Sequence, residues 1–168
     1  MENTTVLYQQ FENVALVTLN RPEVYNCINQ ELMLGLVESL QNAEQDDSIH
    51  AIVLTGSGSK AFCAGLDLKE LSGGGDLLLD DTLVVNTFAQ RKKPLIGAIN
   101  GYAMTGGLEM ALNCDILYAS ENAVFADTHC KVGIMPTWGM TQKLPRLIGY
   151  GRAKEMSFSG RKIDAQTA

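Results

Sequence analysis

The sequence predicts an α/β fold built on parallel strands joined by right-handed crossovers. Three observations carry the prediction. The runs Ala51–Thr55 (AIVLT) and Leu95–Ile99 (LIGAI) are apolar throughout, as strands covered on both faces of a parallel sheet are. Stretches of helical periodicity separate the apolar runs, so the chain reads strand, helix, strand, helix, strand. Its 168 residues, 46% hydrophobic and 19% charged, have the composition of one globular domain, neither disordered nor collagen-like.

Each element has its own justification. Residues 5–11 alternate loosely and Val14–Leu19 is an apolar run, so an opening β-hairpin is predicted around Glu12-Asn13 and closed by Asn20-Arg21-Pro22. Asn29 suits a helix cap, because Leu32, Met33, Leu36, Val37, Leu40 and Ala43 follow at three- and four-residue intervals. Ala51–Thr55 is then a strand buried on both faces. Ser72-Gly73-Gly74-Gly75-Asp76 reads as a flexible loop inside the domain. A helix near Asp80–Gln90 precedes the strand after Pro94, and a short helix from about Gly106 to Asn113 precedes a strand at Ile116–Ala119. Gly149–Ser159 looks helical. Asp164 caps what reads as the first turn of another helix, so a longer parent protein is expected. No internal sequence repeat is visible.

Charge and cysteine usage narrow the function. Thirteen Lys and Arg against 19 Asp and Glu give a net charge of −6, which argues against a nucleic-acid or anionic-membrane surface. An anionic ligand therefore needs a local site. Cys27, Cys63, Cys114 and Cys130 form no CxxC pair and only two histidines accompany them, so no metal site is expected and the thiols should be reduced. With Glu2 early, no basic residue before Arg21 and no apolar run near the roughly 20 residues of a membrane span, a cytoplasmic location is expected.

Three segments are candidates for chemistry. Gly56-Ser57-Gly58-Ser59-Lys60-Ala61 follows a strand and nearly spells the dinucleotide fingerprint. No helical pattern begins where that fingerprint needs one, and GxxxxGK[ST] is absent, so nucleotide binding is set aside. In Phe62-Cys63-Ala64-Gly65-Leu66-Asp67-Leu68-Lys69, small residues allow close approach of a ligand to the backbone, and Asp67 can cap a helix with outward-facing amides. The same residues also fit a plain tight turn with Lys69 on a solvated face. Asn100-Gly101-Tyr102-Ala103-Met104-Thr105-Gly106-Gly107-Leu108-Glu109 leads a strand through a glycine-rich turn into a helix start, where unpaired amides can hold an oxyanion. A close-packing turn, with Glu109 favoured only by the helix dipole, fits it equally.

Phe62–Lys69 and Asn100–Asp115, followed by Phe125–Leu144 with Gly133-Ile134-Met135-Pro136 and Thr141-Gln142, resemble the crotonase (enoyl-CoA hydratase/isomerase) superfamily. The resemblance runs from the opening hairpin to Gly160–Ala165. It implies a crotonase-like ββα repeat core of parallel sheets with packing helices over residues 1–168, its carboxy-terminal helical part missing. It also implies an enzyme of fatty acid metabolism that binds acyl-CoA thioesters and stabilises their enolate with the backbone amides of Leu66 and Gly106. Such a donor is worth roughly 3–4 kcal/mol of barrier. Ala64, Gly65 and Leu66 would line the coenzyme A cradle and Lys69 would meet its phosphates. Coenzyme A enters as part of the substrate, with no separate cofactor.

By the same resemblance Glu109 is the first catalytic glutamate. Where hydratases carry a second, in Phe125-Ala126-Asp127-Thr128-His129-Cys130, the aligned residue is His129, which suits a general base or a structural histidine. Asp127, two residues earlier, shares its face if the segment is extended. The dehalogenase branch places a nucleophilic aspartate where this chain has Thr137, so that branch is set aside. Met104, Leu108, Met135 and Trp138 are candidates for the acyl pocket or for core. The expected activity is hydration of 2-enoyl-CoA, with double-bond isomerisation and non-catalytic acyl-CoA binding as alternatives. Homotrimers or hexamers are the expected assembly.

Overall fold

A computed structural model describes residues 4–72 and 81–168, so residues 73–76 of the glycine loop lie outside the described residues. β1 (Val6–Phe11) and β2 (Val14–Leu19) form the opening antiparallel hairpin, with Glu12 at φ 51° in the turn. After a single 3-10 turn at Pro22–Val24, α1 (Gln30–Gln45) starts at Asn29, whose side chain accepts the Leu32 amide at 2.9 Å. Leu32, Leu36, Leu40 and Ala43 on the buried face of α1 join Val17, Leu19, Ile52 and Leu54 in one apolar core. Each such large side chain taken from water contributes about 1.5–3 kcal/mol.

Beyond α1 the chain repeats one unit. β3 (Ala51–Gly56) runs into β4 (Ala61–Cys63), then α2 (Leu68–Ser72) and α3 (Asp81–Gln90). β5 (Leu95–Ile99) runs into β6 (Tyr102–Met104), then α4 (Gly106–Leu112). β7 (Ile116–Ala119) runs into β8 (Val124–Ala126), then α5 (His129–Val132). The first strand of each unit joins a five-stranded sheet ordered β1-β2-β3-β5-β7, and the second joins a smaller sheet in which β4, β6 and β8 lie side by side and parallel. α6 (Met140–Ile148) and α7 (Tyr150–Ser159) follow, and β9 (Ile163–Asp164) closes the small sheet antiparallel to β8. The parallel sheets with packing helices expected from the sequence are thus present, arranged as ββα repeats.

Some expectations need correction. Ala51, Val53 and Thr55 are half-buried, so β3 is fully covered on one face only, and β7 is exposed along its length as the sheet's edge. The final turn forms as expected, with Asp164 Oδ1 accepting the Thr167 amide at 2.8 Å, but Asp164 also ends β9, a strand the sequence reading lacks. All four cysteines are unpaired. Among the described residues no helix is long and apolar enough to cross a membrane.

Candidate active site

Because β4, β6 and β8 are parallel neighbours, the segments that follow them emerge at one end of the small sheet. Functional groups gather at the carboxyl ends of parallel strands for this reason. Ala64–Asp67 follows β4, Thr105–Gly106 follows β6, and Asp127–His129 follows β8.

The first two turns touch. A Cβ placed on Gly106 would lie 4.0 Å from the Gly65 Cα, and one placed on Gly65, at φ +102°, would lie 3.0 Å from the Thr105 Cβ. Gly107 lets α4 approach β4, since a Cβ there would fall 2.0 Å from the Cys63 carbonyl oxygen. Thr105 adopts φ 52°, a strained backbone for a β-branched residue. Two bonds hold it there: its amide donates to the Ala126 carbonyl at 3.1 Å and its hydroxyl meets that of Thr128 at 2.5 Å.

Neither the Leu66 nor the Gly106 amide donates a hydrogen bond among the described residues. Their neighbours are occupied: Ile28 donates to the Gly65 carbonyl at 2.8 Å, and Asp67 donates to the Ile28 carbonyl at 2.9 Å. Ala64 donates its amide to the Tyr25 carbonyl at 3.1 Å. Asp67 accepts the Lys69 amide at 3.2 Å as the expected cap of α2 and pairs with Arg21 at 3.0 Å. Lys69 is exposed at the start of α2. Burial pushes the thiol of Cys63, beside these turns, up to about 12, so it is no nucleophile near neutrality.

Glu109, on the first turn of α4, is buried to 2% exposure, yet both its oxygens are engaged. Oε1 accepts the amides of Trp138 at 2.8 Å and Met140 at 3.0 Å, which anchors the start of α6. Oε2 faces His129 Nε2 at 3.5 Å. At that distance the contact is mainly one of charge, since direct charge-assisted bonds span about 2.7–2.9 Å.

His129 opens α5, so the segment is not extended and the condition under which Asp127 would share its face is not met. The strand ends at Ala126, and the chain turns so that Asp127 lies behind the imidazole and does not face Glu109. Asp127 Oδ1 takes His129 Nδ1 at 2.7 Å and the His129 amide at 3.2 Å, while Oδ2 accepts the Ser157 hydroxyl of α7 at 2.6 Å. Burial disfavours the charged imidazole, but the bond to Asp127, the nearby Glu109 oxygen and the negative charge of both outweigh it and raise the His129 pKa to about 9. Burial likewise opposes the Asp127 carboxylate, and the bonds from His129 and Ser157 overcome it and hold its pKa below the usual range.

Of the candidate pocket residues, Leu108 and Trp138 belong to the core and Met104 is half-buried. Met135 is 78% exposed, in the open segment before α6. Ser157 and Asn26 went unread in the sequence. Asn26, at φ 54°, is buried; its Nδ2 donates to the Ser57 and Ala61 carbonyls at 3.0 and 2.9 Å, tying the loop before α1 to the start of β4. A buried Asn between two turn-rich segments is the kind of signal that could have found it. Among the described residues no His, Cys, Asp and Glu side chains group as a metal site.

Three ββα units that place their functional turns at one end of the inner sheet define a crotonase-fold protein. Solved structures match it closely: an enoyl-CoA hydratase subunit of Geobacillus kaustophilus superposes with TM-score 0.91 at 32% identity over 99% of this chain and 65% of that one. The enoyl-CoA hydratase of Mycobacterium tuberculosis H37Rv gives 0.86 at 44% identity over 97% and 69%. The chain belongs to the enoyl-CoA hydratase/isomerase family, which residues 9–168 match. A probable peroxisomal enoyl-CoA hydratase of Arabidopsis thaliana is 39% identical over 99% of this chain, and the short-chain-enoyl-CoA hydratase of Clostridium acetobutylicum 36% over 100%. The chain spans 63% and 66% of those two relatives.

Proposed function

We propose that the protein is an enoyl-CoA hydratase, adding water across the 2,3 double bond of an enoyl-CoA thioester. One observation carries the reading. Two amides without acceptors among the described residues, on touching turns, stand at the same sheet end as a buried carboxylate whose Oε2 faces a histidine. Charge that develops on the thioester oxygen is held by the Leu66 and Gly106 N–H groups, each worth roughly 3–4 kcal/mol. Glu109 takes a proton from water as the water oxygen bonds to C3, and the electron pair of the double bond moves onto the thioester as an enolate. A proton from the Glu109–His129 pair then reaches C2, so one water is consumed and the pair is restored.

The names of the similar hydratases support the same reading. The backbone of Ala64, Gly65 and Leu66 and the ammonium of Lys69 carry coenzyme A, which arrives as part of the substrate, and no separate cofactor takes part. The protein acts in the cytoplasm as a homotrimer or hexamer. Purified protein supplied with crotonyl-CoA and, separately, a 3-enoyl-CoA tests the proposal: hydration of crotonyl-CoA is expected. Migration of the 3-enoyl double bond without hydration would make it an isomerase, and tight binding with no turnover an acyl-CoA-binding protein.

A further inference from the structure

The second acid–base group of this site is a histidine backed by a carboxylate from its own turn and, through that carboxylate, by a hydroxyl from α7. Asp127 is 2% exposed, a position where an ionised carboxylate survives only with partners. It has three, and two belong to His129: the ring Nδ1 at 2.7 Å and the amide at 3.2 Å, with the Ser157 hydroxyl at 2.6 Å as the third. An acceptor on Nδ1 requires a proton there, and the ring's other nitrogen then faces Glu109 Oε2 at 3.5 Å.

The groups that face the ring are Glu109 from α4 and Asp127 from the β8–α5 turn, with Ser157 of α7 acting through Asp127. Lys131, on the same short helix, turns away and gives its Nζ to the Gly160 carbonyl at 2.7 Å. We propose that Asp127 and Ser157 are positioning residues that hold His129 with Nδ1–H on Asp127 and Nε2–H toward Glu109, so that Glu109 works beside a histidine acid instead of a second carboxyl group. The proposal rests on the hydratase reading.

Its chemical consequence is specific. Two carboxyl groups at one site resist joint ionisation, so one must keep its proton to act as an acid. A carboxylate and an imidazolium are each stabilised by the other's charge. The histidine therefore keeps its acid form across neutral pH and loses it near pH 9.

Asp127→Asn and Ser157→Ala test this in the purified protein by two readouts, the pH profile of hydration and the His129 titration followed by imidazole NMR without substrate. In Asp127→Asn, kcat is expected to fall about 10²-fold with KM little changed. Its alkaline limb and the NMR titration should both move down by about one pH unit or more, a tenfold or greater change in protonation. Ser157→Ala should shift both in the same direction by less, and Ser157→Thr, which keeps a hydroxyl, should restore them.

Should Asp127→Asn fail to fold, the Ser157 pair carries the test alone. Hydration with an alkaline limb indifferent to these substitutions would overturn the positioning role while leaving the hydratase reading intact. A titration that follows Asp127 and Ser157 in a protein that hydrates no enoyl-CoA would overturn the hydratase reading, and with it the catalytic use of the relay.

Discussion

In the proposed reaction Glu109 has two tasks on two oxygens, and substitutions separate them. In Glu109→Gln the side-chain carbonyl still accepts the Trp138 and Met140 amides, so α6 stays anchored while proton transfer is lost. Turnover is expected to fall about 10²–10⁴-fold with acyl-CoA binding nearly unchanged. Glu109→Ala should also lose stability, because each buried amide left without an acceptor costs about 1–3 kcal/mol; denaturant titration of the two variants reads the difference. His129 adds a pH signature. Its pKa rises from 6.5 to about 9 on folding, so the stability it supplies is full below pH 6.5 and is lost as pH climbs through about 9. The stability of wild type over Asp127→Asn should shrink across that window, and a constant gap would count against the coupling. At this scale the Leu66, Gly106, Glu109 and His129 positions, which the structure gathers at one end of the small sheet, follow from the family resemblance that the motifs around them carry. Ser157 was not legible, since its partner Asp127 lies 30 residues away and no local pattern marks the pair.

Elements that the sequence revealed are those long enough to show a period. α1 and the strands of the large sheet declared themselves by burial alternation or apolar runs. β4, β6 and β8 have three residues each and β9 two, too few for any repeat, and α6 carries Pro145 inside it, which reads as a helix breaker. The inner sheet is consequently invisible locally and is set by what packs on it. Gly107→Ala tests that packing. A methyl group 2.0 Å from the Cys63 carbonyl oxygen must push α4 off β4. A loss of about 4 kcal/mol, or about 8–16 °C in Tm, is expected. Gly151 in α7 is the control, because a Cβ there meets nothing within 4 Å. Gly151→Ala should raise stability by about 0.4–1 kcal/mol, chiefly by restricting the unfolded chain. Thermal melts of both variants decide the matter, and equal effects would mean that the contact of α4 with β4 is not what the small sheet depends on.

On the scale of the molecule, a groove of about 600 Å³ runs between α4, α6, α7 and the two sheets, lined by Leu112, Leu117, Phe125, Leu144, Leu147 and Ile163 among others. Beside it the edge strand β7 shows Ile116 at 50% and Tyr118 at 67% exposure. Apolar surface on this scale favours association. Residues 1–168 prepared alone should therefore elute as concentration-dependent oligomers, and Leu117→Lys with Leu147→Lys should shift them toward monomer. A sharply melting wild-type monomer at all concentrations would refute this. One wall of the groove is α6, whose first turn is tied down by Glu109. Descendants of this protein that abandoned the chemistry would still need that carboxylate to keep the helix in place, so an inherited glutamate at position 109 is poor testimony to activity. His129 and Ser157 lack such a second duty in anchoring α6, and their replacement in a descendant would be the earlier record of a trade given up.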